Sequence, residues 1–199
     1  MLTFGSLFAG IGGFDLGFER AGMECRWQVE NNEYKQGQLQ RLYPNVGRWD
    51  DVRTFPPAPA EDWTVDVICG GFPCQDISNA GLRAGIDGTQ SGLWSEYARI
   101  VRELRPRIVV VENVAALLVR GVDRVLGDLA TLGYDAEWSV LSCCAMGAPH
   151  TRERLFIVAN SEGRRRIGAQ NQVGKVSPEN DEGPRQDKTI SLGGRKQSH

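Results

Sequence analysis

Hydrophobic positions along the chain fall into two rhythms. Short β-branched or aromatic runs recur at residues 2–8, 25–30, 65–69, 108–111, 136–141 and 155–159, which predicts strands. Between them apolar residues recur every three or four positions. That spacing predicts helices over 14–21, over a segment ending before Pro44, over 93–104 and over 122–132. The third helix is the clearest. Leu93, Trp94, Tyr97, Ile100, Val101 and Leu104 form one stripe, and Pro106 stops it. Strands alternating with helices predict an α/β fold, a mostly parallel sheet with helices on both faces.

Composition confines this pattern to one domain. The chain has 199 residues, 41% hydrophobic and 24% charged, enough for a single sizeable core. Residues 161–199 break the rhythm. They carry six hydrophobic residues and a net charge of +3, against −5 for residues 1–160. So polar a segment buries too little apolar surface to offset its ordering entropy, and an unfolded tail is expected beyond a domain at 1–160. The bulk charge shows no strongly basic face for nucleic acid. No N-terminal stretch resembles a signal peptide and no run is long enough to span a bilayer, so the expectation is a cytoplasmic protein without a membrane partner. The five cysteines (25, 69, 74, 143 and 144) include no CxxC pair, and their odd number argues for free thiols. Cys143, Cys144 and His150 fit no metal-binding spacing, so no metal is expected.

The candidate chemistry gathers where strands end. Gly70-Gly71-Phe72-Pro73-Cys74-Gln75 follows the third run. Pro73 fixes its own φ and pushes Phe72 into extended backbone, so Cys74 leaves the strand on a stiff loop. Ligands of open α/β sheets bind at such carboxyl ends, which makes Cys74 a candidate nucleophile. Glu112, in Glu112-Asn113-Val114, follows the next strand run and reaches the same edge. Arg152 and Arg154 open the last run, and residues two apart on extended chain share a face. A glycine loop, Phe8-Ala9-Gly10-Ile11-Gly12-Gly13-Phe14, joins the first strand to the first helix, where backbone can approach a ligand. Glu30 lies 20 residues beyond Gly10, the place of a ribose-binding carboxylate. The glycine pattern is incomplete by itself, because Asp15 stands at the last glycine of GxGxxG.

In this order, Leu7 to Gly13, Glu30, Asp51, Gly71-Phe72-Pro73-Cys74-Gln75, Glu112-Asn113-Val114 and Arg152-Glu153-Arg154 resemble the cytosine-C5 DNA methyltransferase family over residues 2–160. The resemblance implies a Rossmann-like fold dependent on S-adenosyl-L-methionine. It also implies double-stranded DNA as partner, with the target cytosine flipped out of the stack. Cys74 would add to cytosine C6, Glu112 would protonate the ring at N3 and read the exocyclic amine, Arg154 would bond O2, and Arg152 would hold the thiolate's charge. Phe8, Ala9, Gly10, Gly12, Gly13 and Pro73 would flank the cofactor. Glu30 would bond its ribose with Asn31 alongside, Asp51 would accept from the adenine amine, and Val52 and Leu93 would be apolar walls. Residues 76–92, with four glycines, resemble the family's closing loop.

Three positions depart from the family pattern. His150 stands where Gln is frequent, Gln90 where Arg is frequent, and Asn31 where some members place an aromatic. Family members also continue past the last strand into a target-recognition domain and a final cofactor motif. The expectation is therefore an N-terminal catalytic portion of restriction-modification or phage type, inactive or weakly active alone: a truncated gene, a cloned fragment, or one half of a split enzyme whose recognition part is a separate chain. Two alternatives stay open: a tRNA cytosine-C5 methyltransferase, and a remnant that binds cofactor without turnover.

Overall fold

The computed structural model describes residues 1–73 and 92–161. The expected unfolded tail and closing loop lie outside these residues, apart from Ser161 and Gly92, as do Cys74 and Gln90. Among the described residues, strands β1 (Thr3–Leu7), β2 (Glu24–Val29), β3 (Gly47–Trp49), β4 (Val67–Gly70), β5 (Ile108–Val114), β6 (Asp135–Ser142) and β7 (Glu153–Asn160) form one sheet in the order β3-β2-β1-β4-β5-β7-β6. The first five run parallel. β7 runs antiparallel, wedged between β5 and β6.

Among the described residues four α-helices complete the layers: α1 (Gly13–Arg20), α2 (Glu33–Leu42), α3 (Leu93–Leu104) and α4 (Val122–Thr131). The expected stripe of α3 is buried at Trp94, Tyr97, Ile100, Val101 and Leu104. The helix stops where Arg105 turns left-handed, at φ 48°, one residue before Pro106. Asn32 caps α2, its side-chain oxygen accepting from Lys35 N.

Two cores lie on the two sheet faces. The larger joins Ile68, Val109, Val111, Leu155 and Ile157 of the sheet to α3 and α4. Tyr97 pins α3 there, its hydroxyl donating to Val110 O at 3.1 Å. The smaller holds Phe4, Cys25, Val67 and Cys69 against Phe14 and Phe18 of α1. β1 and β4 run very close at the site edge. A Cβ on Gly70 would be driven into the carbonyl oxygen of Leu7, so only glycine permits this approach.

The strands differ from the expected ranges at instructive places. β3 was not anticipated. Three residues with a central arginine carry no period, and they become a strand only by pairing with Trp27, Gln28 and Val29. β4 starts at Val67, because Asp66 instead ties the strand ends together, accepting from Thr3 N at 2.8 Å and Thr3 Oγ1 at 3.0 Å. β5 continues through Glu112 to Val114, since β7 supplies partners for that extension. Glu112 is thus part of the strand and does not follow it. β7 begins at Glu153, which leaves Arg152 just before the strand.

Candidate active site and cofactor cleft

The site occupies the carboxyl edge of β1, β2, β4 and β5, and each strand delivers one piece. From β4, Gly71-Phe72-Pro73 leads toward Cys74. Phe72 is buried against Trp94 at 5.5 Å between ring centroids, and its carbonyl accepts from Asn113 Nδ2 at 3.1 Å. The Asn113 side-chain oxygen in turn accepts from Val114 N at 2.8 Å. Asn113 is buried and both ends of its amide are satisfied, so the turn before Cys74 is clamped to β5. Gly71 leaves room for the neighbouring carboxyl. A Cβ there would sit 2.5 Å from Glu112 Oε2.

Glu112 faces Arg154 across the sheet. Arg154 Nε lies 2.8 Å from Glu112 Oε1, and both side chains are mostly buried. The antiparallel register creates this meeting, placing Arg154 opposite Val114. Burial pushes the Glu112 carboxyl above its ordinary value, and the charges of Arg154 and Arg152 hold the rise in check. The native carboxyl therefore keeps its proton to higher pH than the unfolded one. Its stabilising contribution is complete below the ordinary carboxylate range and is lost as pH rises through the raised value. Arg152 is exposed and acts on Glu112 through charge, while Arg154 makes the direct pair.

Two other cysteines near the sheet are unsuited to nucleophilic work. Cys25 and Cys69 are buried, and burial followed by the charge of Asp15 pushes both thiols far up. They pack in the smaller core. Cys144 differs from both. It is exposed on a short turn, with its sulfur 3.1 Å from Ser142 Oγ.

Beside this edge opens a cleft of about 60 Å³, lined by Phe8, Val29, Glu30, Asn31, Asp50, Asp51, Val52, Arg53 and Leu93. Six of the expected cofactor residues meet here: Phe8, Glu30, Asn31, Asp51, Val52 and Leu93. Ala9, Gly10, Gly12, Gly13 and Pro73 do not line it. The glycine loop acts from behind instead. Gly10 N donates to Glu30 Oε2 at 2.8 Å, and Asn32 N to Glu30 Oε1 at 3.0 Å. Two backbone amides thus hold the carboxylate, and Lys35 Nζ pairs with its Oε1 at 3.8 Å. Phe8 and Gly12 both adopt positive φ, at 52° and 86°. For phenylalanine this is strained, and such strain gathers at ligand-binding turns. The donor set fits a nucleoside. Phe8, Val29, Val52 and Leu93 offer apolar walls to a flat base, while Glu30 and Asp51 offer acceptors to hydroxyl or amine groups.

Asp15, which breaks the glycine pattern, is fully buried. It accepts from Gln28 Nε2 at 2.7 Å, Ser6 Oγ at 3.1 Å and Cys25 Sγ at 3.5 Å. A carboxylate tying α1 to β1 and β2 thus occupies the position where glycine would allow close helix–strand packing. The signal was one acidic residue beside Phe14 and Phe18 on the inward face of α1.

A family model described as C-5 cytosine-specific DNA methylase matches residues 2–191. Type II methyltransferase M.NgoFVII of Neisseria gonorrhoeae is 32% identical over 160 residues, covering 77% of this chain and 42% of the relative. Type II methyltransferase M.Eco47II of Escherichia coli is 38% identical over 162 residues, covering 77% and 38%. The chain thus spans about two-fifths of the length of these curated relatives. Among solved structures, a Spodoptera frugiperda DNMT2 mutant superposes with a TM-score of 0.71 at 18% identity, over 86% of this chain and 54% of that one. That last likeness speaks to the fold alone.

Proposed function

The chain belongs to the C-5 cytosine-specific DNA methylase family, and from that membership we propose that residues 1–160 form the cofactor-binding and catalytic portion of a DNA cytosine-C5 methyltransferase of restriction-modification type. The cofactor is S-adenosyl-L-methionine, which when bound supplies an electrophilic methyl group. In the cleft, Glu30 with Asn31 would hold its ribose, Asp51 would accept from the adenine amine, and Phe8, Val52 and Leu93 would flank the base. Gly10, Gly12, Gly13, Ala9 and Pro73 shape the surrounding backbone.

The observation that carries this reading is the carboxyl–guanidinium pair of Glu112 and Arg154, set beside the clamped turn that leads to Cys74. Cytosine C5 is a poor nucleophile. The Cys74 thiolate forms a bond to C6, and the ring electrons shift toward C5 and N3. Glu112 gives its proton to N3, which neutralises the ring as C5 takes the methyl group. Arg154 holds Glu112 in place and bonds the cytosine O2, and Arg152 adds positive charge nearby. The C5 proton then passes to solvent and the thiolate is expelled, while N3 returns its proton to Glu112, which restores the aromatic ring. The base must leave the duplex for this chemistry, at a cost of about a few kcal/mol. Contacts made elsewhere on the DNA offset that cost. Those contacts belong to the recognition part of a longer protein, joined through residues 161–199 or carried on a separate chain. Such a system works in the cell interior, and no described helix is long and apolar enough to cross a membrane.

Labelled methyl transfer tests the proposal. With the remaining C-terminal part restored, label is expected in duplex DNA at cytosine C5. Label in tRNA alone would favour the tRNA reading, and label in neither would favour a remnant. Cofactor binding is tested by calorimetric titration of residues 1–199. Glu30→Ala is expected to weaken S-adenosyl-L-methionine by about tenfold or more, since a charge-assisted hydrogen bond is worth roughly 1.5–3 kcal/mol and its loss also frees the Gly10 amide. Tighter binding of NAD than of S-adenosyl-L-methionine would overturn the cofactor assignment.

A further inference from the structure

Arg99 lies on α3, outside every motif above, yet it joins the two walls of the cleft. Asp51, Val52 and Arg53 form one wall, and Leu93 at the start of α3 stands on another. The Asp51 turn closes on itself through Thr54 N to Asp51 O at 3.1 Å. Arg99 Nη2 holds that turn from outside, donating to Val52 O at 2.9 Å and to Phe55 O at 2.6 Å. The rest of the guanidinium cannot swing away. Its Nε lies 2.7 Å from Glu96 Oε2, and its Nη1 donates to both Glu103 oxygens at 3.1 Å. Glu96 and Glu103 sit three residues before and four after Arg99, so the helix itself aims the fork. One face of the fork is spent on carboxylates and the other on two backbone carbonyls. Only the planar, multi-donor geometry of arginine fills all of these at once.

We propose that Arg99 is a positioning residue for base discrimination: by fixing the carbonyls of Val52 and Phe55 it sets the depth and angle at which Asp51 meets the purine edge. The proposal rests on the reading of the cleft as the cofactor's adenosine site. If Arg99 only stabilised the fold, its loss would weaken all nucleoside ligands alike. If it positions Asp51, its loss removes the advantage of a base with a 6-amino donor over one with a 6-oxo acceptor. A site built around a hydrogen bond rejects the analogue that lacks it, and that rejection disappears when the acceptor is misplaced.

The test compares S-adenosylhomocysteine with S-inosylhomocysteine, titrated calorimetrically into residues 1–199 as wild type, Arg99→Met and Arg99→Lys. Wild type should prefer the adenosyl compound by about tenfold or more. Arg99→Met should bring the ratio close to one, with the adenosyl affinity falling and the inosyl affinity nearly unchanged. Arg99→Lys offers one point donor in place of the fork and should give an intermediate ratio. It also keeps the test readable should the methionine variant fail to fold. Equal weakening of both ligands, with the wild-type ratio retained in either variant, would overturn the positioning role while leaving the cofactor reading intact. Failure of wild type to bind either ligand would overturn both.

Discussion

Cys74→Ser is expected to abolish methyl transfer, with a loss of at least about 10⁴-fold, the scale seen when a covalent catalyst loses its nucleophile. The serine hydroxyl has nearly the same size, but it holds its proton far too tightly to attack C6. The preceding turn should be unaffected, because Asn113 and Pro73 set its path. A duplex containing 5-fluorocytosine makes the outcome visible. Fluorine cannot leave as a proton does, so the wild-type enzyme stops at the covalent adduct, which migrates slowly in a denaturing gel. The serine variant should give no adduct while retaining the wild-type melting temperature. An adduct that persists in Cys74→Ser would assign the nucleophile elsewhere, and the buried thiols of Cys25 and Cys69 are poor substitutes.

Glu112→Gln is expected to slow transfer by about 10²–10⁴-fold, the usual contribution of a positioned general acid. The effect should also change with pH. In the wild type, burial raises the Glu112 carboxyl, so its proton remains available beyond the ordinary carboxylate range. As pH rises through the raised value, that proton is lost and kcat/KM falls. Glutamine has no such titration, and this falling limb should vanish from its already low profile. The amide oxygen can still accept from Arg154, so the pair's geometry survives the substitution. A profile that keeps the limb in Glu112→Gln would assign the titration to another group.

Much of this site was legible in the chain because motif residues at strand ends need only the strand order to meet. Phe8, Glu30, Asn31, Asp51, Val52 and Leu93 come from four separate segments and line one cleft. What the chain did not announce were the residues that hold others in place. Asn113 matters through a carbonyl 41 positions earlier, and Arg99 through carbonyls 47 and 44 positions earlier. Long-range contacts of that kind leave no local period. β3 failed to show for a related reason, since three residues become a strand only by pairing with β2. Asp15 was visible as an irregularity, but its meaning lay in Ser6, Cys25 and Gln28, which only the folded sheet brings to it.

The reversed direction of β7 has a practical consequence for anything joined to this domain. β7 begins at the catalytic edge beside Arg152 and runs away from it, until Asn160 stands opposite Ile108 and Ser161 N donates to Arg107 O at 3.0 Å. The polypeptide therefore departs from the far rim of the sheet. The eight residues of β7 cover about 26 Å at roughly 3.3 Å each. A module fused after Ser161 that must reach the Glu112 edge has to travel that distance back around the flank. It needs a tether of at least about eight extended residues, or about seventeen helical ones at 1.5 Å each. A purification tag or fluorophore at the same point has the opposite fortune. It starts on the side turned away from Glu112 and Arg154, where it leaves that pair undisturbed.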